Sequence, residues 1–207
     1  FYGKTVVIAT GAVPRTLGLP EEQALTGRGL HYCAACDGMF YRGKTVVVVG
    51  GGNSAAADAL LLSRVAKKVI VVHRRDTLRA EKIYHEPLKN AKNVEFRWNS
   101  EAVRFPHGDR LTGIRIRNKL SGTEEEIPCD GVFISVGRRP ATTLFEGQLK
   151  LDEQGYLVAD ETTATELPGV YAAGDVRTKP VRQVVTAVAD GAVAVHMAEG
   201  FLSDREG

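Results

Sequence analysis

Cysteine is scarce, at three residues in 207. That is too few for the disulfide framework of a secreted domain and fits a reducing cytosol better. Net charge is nearly missing as well: 27 Lys and Arg against 25 Asp and Glu leave +2, which argues for neither nucleic acid nor an anionic membrane as a partner. No apolar run comes near the ~20 residues that a bilayer span requires. The longest, Val46 to Val49, stops at glycines and is expected to be a buried strand. Internal repeats, low-complexity tracts, an initiator Met and a signal peptide are also absent. The opening Phe1-Tyr2-Gly3-Lys4-Thr5-Val6-Val7-Ile8-Ala9-Thr10-Gly11 reads as the interior of a fold. What is present is an ordinary globular composition, 43% hydrophobic and 25% charged, with length for one domain or two small ones.

The pattern of elements is α/β. Val6 to Ala9 reads as a short buried strand, and Ala12 to Gly29 as a connector rich in Gly, Pro and polar residues. Thr45 to Val49, a helix from Ser54 to Val65 and a strand Val69 to Val72 make a βαβ unit. Ala80 to Ala91 has helical character that Pro87 should break or bend. Val94 to Trp98, Ala102 to Phe105 and Gly113 to Asn118 read as alternating strands or a hairpin, and Gly131 to Val136 as another buried strand. Gly137-Arg138-Arg139-Pro140 should form a turn and a boundary. A strand Val170 to Ala173, the pair Gly174-Asp175 and a helix from about Gln183 to Leu202 complete the chain.

Gly50-Gly51-Gly52-Asn53-Ser54-Ala55 has the G-x-G-x-x-A form of a dinucleotide turn, placed between a strand and a helix. Gly50 permits the tight turn, Gly52 lets backbone approach a pyrophosphate, and Ala55 keeps helix close to sheet. The helix N-terminus offers free N–H groups and partial positive charge to phosphate. At the end of the next strand, the acid that would bind the 2′-hydroxyl of NAD is replaced by His73-Arg74-Arg75-Asp76, with Arg79 a turn further. Guanidinium groups suit a 2′-phosphate, so NADPH is the expected nucleotide. The alternative is a solvated basic patch.

Cys33-Ala34-Ala35-Cys36 can close and reopen a small disulfide loop, and Asp37 can deliver or remove the proton. The competing reading is half a zinc site. It lacks a second pair of ligands, since Cys129 and the scattered His31, His85, His107 and His196 show no ligand spacing, and no metal site is expected. Cys129 reads as a buried small hydrophobe, and Trp98 and the lone histidines as packing or surface residues.

In this order the pieces resemble the low-molecular-weight thioredoxin reductase family. The resemblance runs through Ala9-Thr10-Gly11, Cys33-Ala34-Ala35-Cys36-Asp37-Gly38, the glycine turn, His73 to Arg79, and Val132 to Pro140. It continues through Gly169-Val170-Tyr171-Ala172-Ala173-Gly174-Asp175-Val176 and Arg182-Gln183. Ala35 stands where the family usually has Thr. The resemblance implies a Rossmann-like NADPH-binding domain over 12–134, inserted into an FAD domain made of 1–11 and 135–207. It places Thr10 and Gly11 near the flavin, Asp175 on the ribityl hydroxyls, and Arg182 and Gln183 near the isoalloxazine, with Gly174 also among the cofactor-binding residues. Electrons would pass from NADPH through FAD to the Cys33–Cys36 disulfide, with Cys36 facing the flavin, Cys33 attacking thioredoxin and Asp37 as acid/base. Gly11 to Pro14 and Ser135 to Gly137 are the implied hinges. A cytoplasmic homodimer is the implied assembly. Family members begin with a further βαβ unit carrying its own glycine turn for FAD, and that unit is not among these 207 residues. Two other readings remain: the flavoprotein subunit of alkyl hydroperoxide reductase, against which Ala34-Ala35 argues, and an NADPH-binding module without catalysis.

Overall fold

The computed structural model describes residues 2–206; Phe1 and Gly207, the outer ends of the expected 1–11 and 135–207 segments, lie outside the described residues. The chain divides into two compact units, one of Pro14–Gly137 and one of Phe1–Val13 with Arg138–Gly207. In chain order the strands are β1 (Val6–Ile8), β2 (Ala12–Pro14), β3 (Leu30–His31), β4 (Thr45–Val49), β5 (Lys68–Val72), β6 (Val94–Arg97), β7 (Ser100–Arg104), β8 (Gly113–Asn118), β9 (Glu124–Pro128), β10 (Gly131–Ile134), β11 (Arg138–Pro140) and β12 (Val170–Ala172). The helices are α1 (Glu22–Leu25), α2 (Ala34–Asp37), α3 (Asn53–Ser63), α4 (His85–Asn90) and α5 (Val184–Glu206).

The Pro14–Gly137 unit is built on a parallel sheet of order β3-β10-β4-β5-β6. The valines of β4 and β5 serve both faces, because successive side chains point to opposite sides. Val46, Val48, Val69 and Val71 pack beneath α3 on Ala55, Ala56, Ala59 and Leu62. Val47, Val49, Ile70 and Val72 pack on Ile114, Ile116 and Ile127 of the antiparallel sheet β7-β8-β9. Burial on both faces is why these strands read as unbroken apolar runs.

Several expectations change. Of the two alternatives for Val94–Arg97 the strand holds: it is the parallel edge strand of the main sheet rather than a hairpin arm. The antiparallel sheet instead takes in β9, whose Glu124-Glu125-Glu126 lies exposed with Ile127 alone turned inward. Its acids face basic neighbours: Arg115 pairs with Glu126 at 2.8 Å and Arg97 with Glu125 at 3.1 Å. Pro87 does not break a long helix. It occupies the first turn of α4, where a proline forfeits no helical hydrogen bond. The supposed connector holds β2 and α1, and Arg138–Pro140, expected as a turn, forms β11 paired with β2.

In the other unit β1 pairs in parallel with β12, Val6 opposite Val170. One core gathers Ile8, Leu157, Ala172 and Val176, and a second joins Tyr171 and Ala173 to Ala194 and Ala198 of α5. The residues Val184–Arg205 of α5 are long and apolar enough, by length and composition, to cross a membrane, with mean hydropathy 1.3. Thr186, Asp190, Gly191 and His196 interrupt its Val and Ala residues, so this expected helix carries no unbroken apolar run. Its outer face exposes Val184, Val185, Val188 and Val195.

Candidate active site

Close packing shapes the turn between β4 and α3. Gly50 has φ +150°, and a Cβ there would lie 2.4 Å from the Ser135 carbonyl oxygen and 2.8 Å from the Ala55 Cβ. Gly51 backs onto His73, whose ring would meet a Cβ at 2.2 Å. Gly52 caps α3, and a Cβ there would have nothing within 4 Å, so its backbone is open to a ligand. The N–H groups of the first helical turn lack helical acceptors and carry the positive end of the dipole, which suits a phosphate. Ser54 is exposed at this end and Ala55 is fully buried against the turn. The Asn53 side chain is occupied: its amide donates to Glu81 Oε1 at 2.7 Å and accepts the Glu81 N–H at 2.8 Å.

Those two bonds and a third tie the basic segment to the turn. The Arg79 N–H donates to the Gly51 carbonyl at 2.7 Å. Arg74, Arg75 and Arg79 are all exposed at the end of β5. His73 is buried, and its Nε2 has no hydrogen-bond partner among the described residues. Burial lowers the His73 pKa, and Arg79, Arg75 and Arg74 lower it further. The result is a neutral imidazole behind three guanidinium groups, a donor set that fits a phosphate dianion beside the glycine turn.

Cys33 and Cys36 form a disulfide with their Cα atoms 5.3 Å apart. Cys33 caps α2, its Sγ accepting the Cys36 N–H at 3.1 Å, and Cys36 is the more exposed of the two. Asp37 follows directly, its side chain about one third exposed. Its Oδ2 lies 2.9 Å from His31 Nδ1, and His31 Nε2 lies 2.6 Å from the Tyr41 hydroxyl. His31 was expected to be a packing or surface residue; the structure joins it to the carboxylate beside the dithiol. Cys129 is buried, and its thiol is pushed up to about 12, first by burial and then by Asp130. Among the described residues no three His, Cys, Asp or Glu side chains gather as a metal site.

The other unit brings together Gly174, Asp175, Arg182 and residues that the sequence did not single out. Asp175 Oδ1 is buried with no partner among the described residues, and Oδ2 is 3.7 Å from Arg138. Arg182 lies 3.7 Å over the Tyr156 ring, its Nη2 donating to the Arg177 carbonyl while its buried Nε has no partner among the described residues. A free carboxylate oxygen and a free guanidinium N–H fit a polyhydroxylated, heteroaromatic cofactor. Thr10 Oγ1 is occupied, donating to the Ala141 carbonyl at 2.7 Å, and the Gly11 carbonyl accepts the Ala141 N–H. Gln183 is exposed at the start of α5. The Gly174 turn is held by Asp190, which also binds Arg177 and Lys179. Asp190 is a further site residue, and its signal in the sequence is an acid set among the Val and Ala residues of the first half of α5.

A model of the family described as pyridine nucleotide-disulphide oxidoreductase matches residues 2–191. The chain belongs to this family. Within it the chain is 46% identical to the thioredoxin reductase of Streptomyces clavuligerus, over 97% of its own length and 62% of that protein's. It is 43% identical to the thioredoxin reductase of Listeria monocytogenes, over 99% of the chain and 64% of that protein. The chain therefore spans less than two thirds of the length of these curated relatives. The crystal structure of thioredoxin reductase from Streptococcus pyogenes matches with a TM-score of 0.91 at 42% identity, covering 97% of this chain and 66% of that one.

Proposed function

We propose that this chain carries the dithiol and nucleotide-binding parts of an NADPH-dependent thioredoxin reductase. The observation that carries the reading is the Cys33–Cys36 disulfide beside Asp37, in the same unit as a glycine turn edged by Arg74, Arg75 and Arg79. Relatives named thioredoxin reductase support it. The Pro14–Gly137 unit is read as the NADPH-binding body. Gly50, Gly52 and the first-turn amides of Asn53, Ser54 and Ala55 would take the pyrophosphate, and His73 with the three arginines the 2′-phosphate. Thr10, Gly11, Gly174, Asp175, Arg182 and Gln183 would hold FAD. When bound, the nicotinamide and flavin supply the two electrons that return the disulfide to the dithiol.

The chain's own residues then act on the partner. The Cys33 thiolate attacks one sulfur of the thioredoxin disulfide, and Asp37 gives a proton to the thiolate that leaves. Cys36 then attacks Cys33, its thiol proton passing to the ionised Asp37 and on to the second departing thioredoxin thiolate, so that thioredoxin leaves as the dithiol and Asp37 ends ionised. One S–S bond breaks and one forms, and two electrons leave with thioredoxin.

A direct test is to reduce the chain with a small dithiol, desalt it and mix it with oxidised thioredoxin. Thioredoxin gaining two thiols as the Cys33–Cys36 pair reoxidises supports the reading. A reduced chain that reoxidises with a disulfide dye but leaves thioredoxin untouched overturns it.

A further inference from the structure

His31 is a buried ionisable group that the proposed chemistry leaves unused. Its side chain is about 10% exposed, its ring stacks on Phe133 at 5.3 Å and Tyr41 meets it edge-on at 5.2 Å. The ring is thus fixed in plane and direction. Its two nitrogens reach two different elements: Nδ1 to Asp37 at the end of α2, and Nε2 to Tyr41 in the 3-10 turn Gly38–Tyr41. Asp37, His31 and Tyr41 all line one cleft of about 310 Å³, with Arg110 and Tyr32 on its wall. An unbroken hydrogen-bonded line therefore joins the carboxylate beside the dithiol, through His31, to Tyr41 on the wall of this cleft.

Resting on the thioredoxin reductase reading, we propose that His31 is the positioning residue of Asp37, holding its carboxylate and, with Tyr41, exchanging its proton with the cleft. The line is closed in both protonation states of Asp37. With Asp37 ionised, the Tyr41 hydroxyl donates to Nε2 and Nδ1–H donates to Oδ2. With Asp37 protonated, its O–H donates to Nδ1 and Nε2–H donates to the Tyr41 oxygen. One concerted shift converts the first state to the second: the Nδ1 proton moves to Oδ2, the Tyr41 proton moves to Nε2, and a solvent acid in the cleft protonates the Tyr41 oxygen. One proton enters at the cleft and one appears on Asp37, and imidazole and phenol both end neutral.

Concertedness matters because a phenolate is costly here. Burial raises the Tyr41 pKa most, Asp37, Asp130 and Cys129 raise it further, and Arg110 opposes them. Lys44 also lies against this group, 5.4 Å over the Tyr41 ring. The arrangement serves the two proton steps of thiol exchange. Asp37 can recover the proton it gives, or shed the proton it takes, while a docked partner covers Cys33 and Cys36.

The test uses the pre-reduced 207-residue chain and oxidised thioredoxin, followed by stopped-flow fluorescence across a pH series. Asp37→Asn should slow exchange by about 100-fold, the scale of a lost general acid. His31→Phe, which keeps the stacking on Phe133, should slow it by about tenfold and move the acid limb of the pH profile. Because His31 acts through Asp37, the double variant should be no slower than Asp37→Asn alone. His31→Asn, which keeps an N–H toward Oδ2 but cannot pass a proton to Tyr41, should recover only the positioning part of the loss and guards against a folding artefact. Release of the first thiolate from a disulfide dye with a weakly basic leaving thiol should be insensitive to His31→Phe, since that step needs no acid, while closure of the Cys33–Cys36 disulfide should slow. Equal rates and pH profiles for wild type and His31→Phe would overturn the proposal, as would losses that multiply in the double variant. A wild-type chain active on the dye but inert to thioredoxin would overturn the underlying reading, and the proposal with it.

Discussion

Asp190→Asn tests the energetics of the unit that carries α5. Asp190 accepts the Gly174 N–H at 2.8 Å, Arg177 Nε at 2.8 Å and Nη2 at 2.7 Å, and Lys179 Nζ at 2.7 Å. All three side chains are buried, Arg177 at 3% exposure, Lys179 at 5% and Asp190 at 9%. Burial by itself would raise the Asp190 pKa, but the bonds from Arg177, Lys179 and Gly174 hold it well below the usual carboxylate range. A folded pKa below the unfolded one contributes stability that is fully present above the unfolded value and lost as pH falls through the folded value. The Asn variant removes the charge and strands two buried cations, a loss of about 3–5 kcal/mol at neutral pH. Replacing the whole cluster, Arg177→Met with Lys179→Leu and Asp190→Leu, strands no charge. Its remaining loss is the unpaired Gly174 N–H, about 1–3 kcal/mol. Urea unfolding by circular dichroism gives both differences, and hydrogen exchange at Gly174 to Val176 reads the local turn. The gap between wild type and Asp190→Asn should narrow in acid. A single variant within about 1 kcal/mol of wild type, or a triple variant worse than the single, would refute the reasoning.

Arg74→Ala with Arg75→Ala should reduce the preference for NADPH over NADH by about 100-fold, from two lost charge-assisted bonds; equal affinities in the unmodified chain by calorimetry would count against the 2′-phosphate site. Gly50→Ala should destabilise the chain by at least about 2 kcal/mol, because its Cβ meets the Ser135 carbonyl at a positive φ. Gly52→Ala, whose Cβ meets nothing, should leave urea stability within about 1 kcal/mol and still weaken NADPH binding. Cys129, with its thiol pushed up to about 12, should resist iodoacetamide in the native chain at mildly alkaline pH. Cys33 and Cys36 should be modified only after reduction, and mass spectrometry of the labelled peptides decides both points.

The parallel core was legible because burial on both faces leaves a strand no polar option. The valines of β4 and β5 announce themselves, and the glycines after Val49 mark where the strand must turn into α3. β9 was illegible for the converse reason. Three consecutive acids ahead of Ile127 carry no alternation, and the strand forms through its pairing with β8, with arginines opposite the acids. Tertiary pairing overrides local preference here. Pro87 misled in the same way: the residue type says where a helix cannot continue, but not whether the break falls before or after it.

The sites divide along a related line. The glycine turn, the dithiol and the arginines are contiguous, so their spacing carries their geometry. His31, Asp37 and Tyr41 lie six and ten residues apart, counted from His31, across a strand, a helix and a 3-10 turn. Neither the helical nor the strand period links them, and only the fold makes them neighbours. Asp190 was more accessible to reasoning. A carboxylate on the buried face of an apolar helix cannot stay charged without partners. The cations nearest before it in sequence are Arg177, Lys179 and Arg182. Two of these bind it, and the third donates to the Arg177 carbonyl while lying over Tyr156. The demand for charge compensation thus identifies the segment before α5 as folded back onto the helix, and with it the Gly174-Asp175 turn that Asp190 holds.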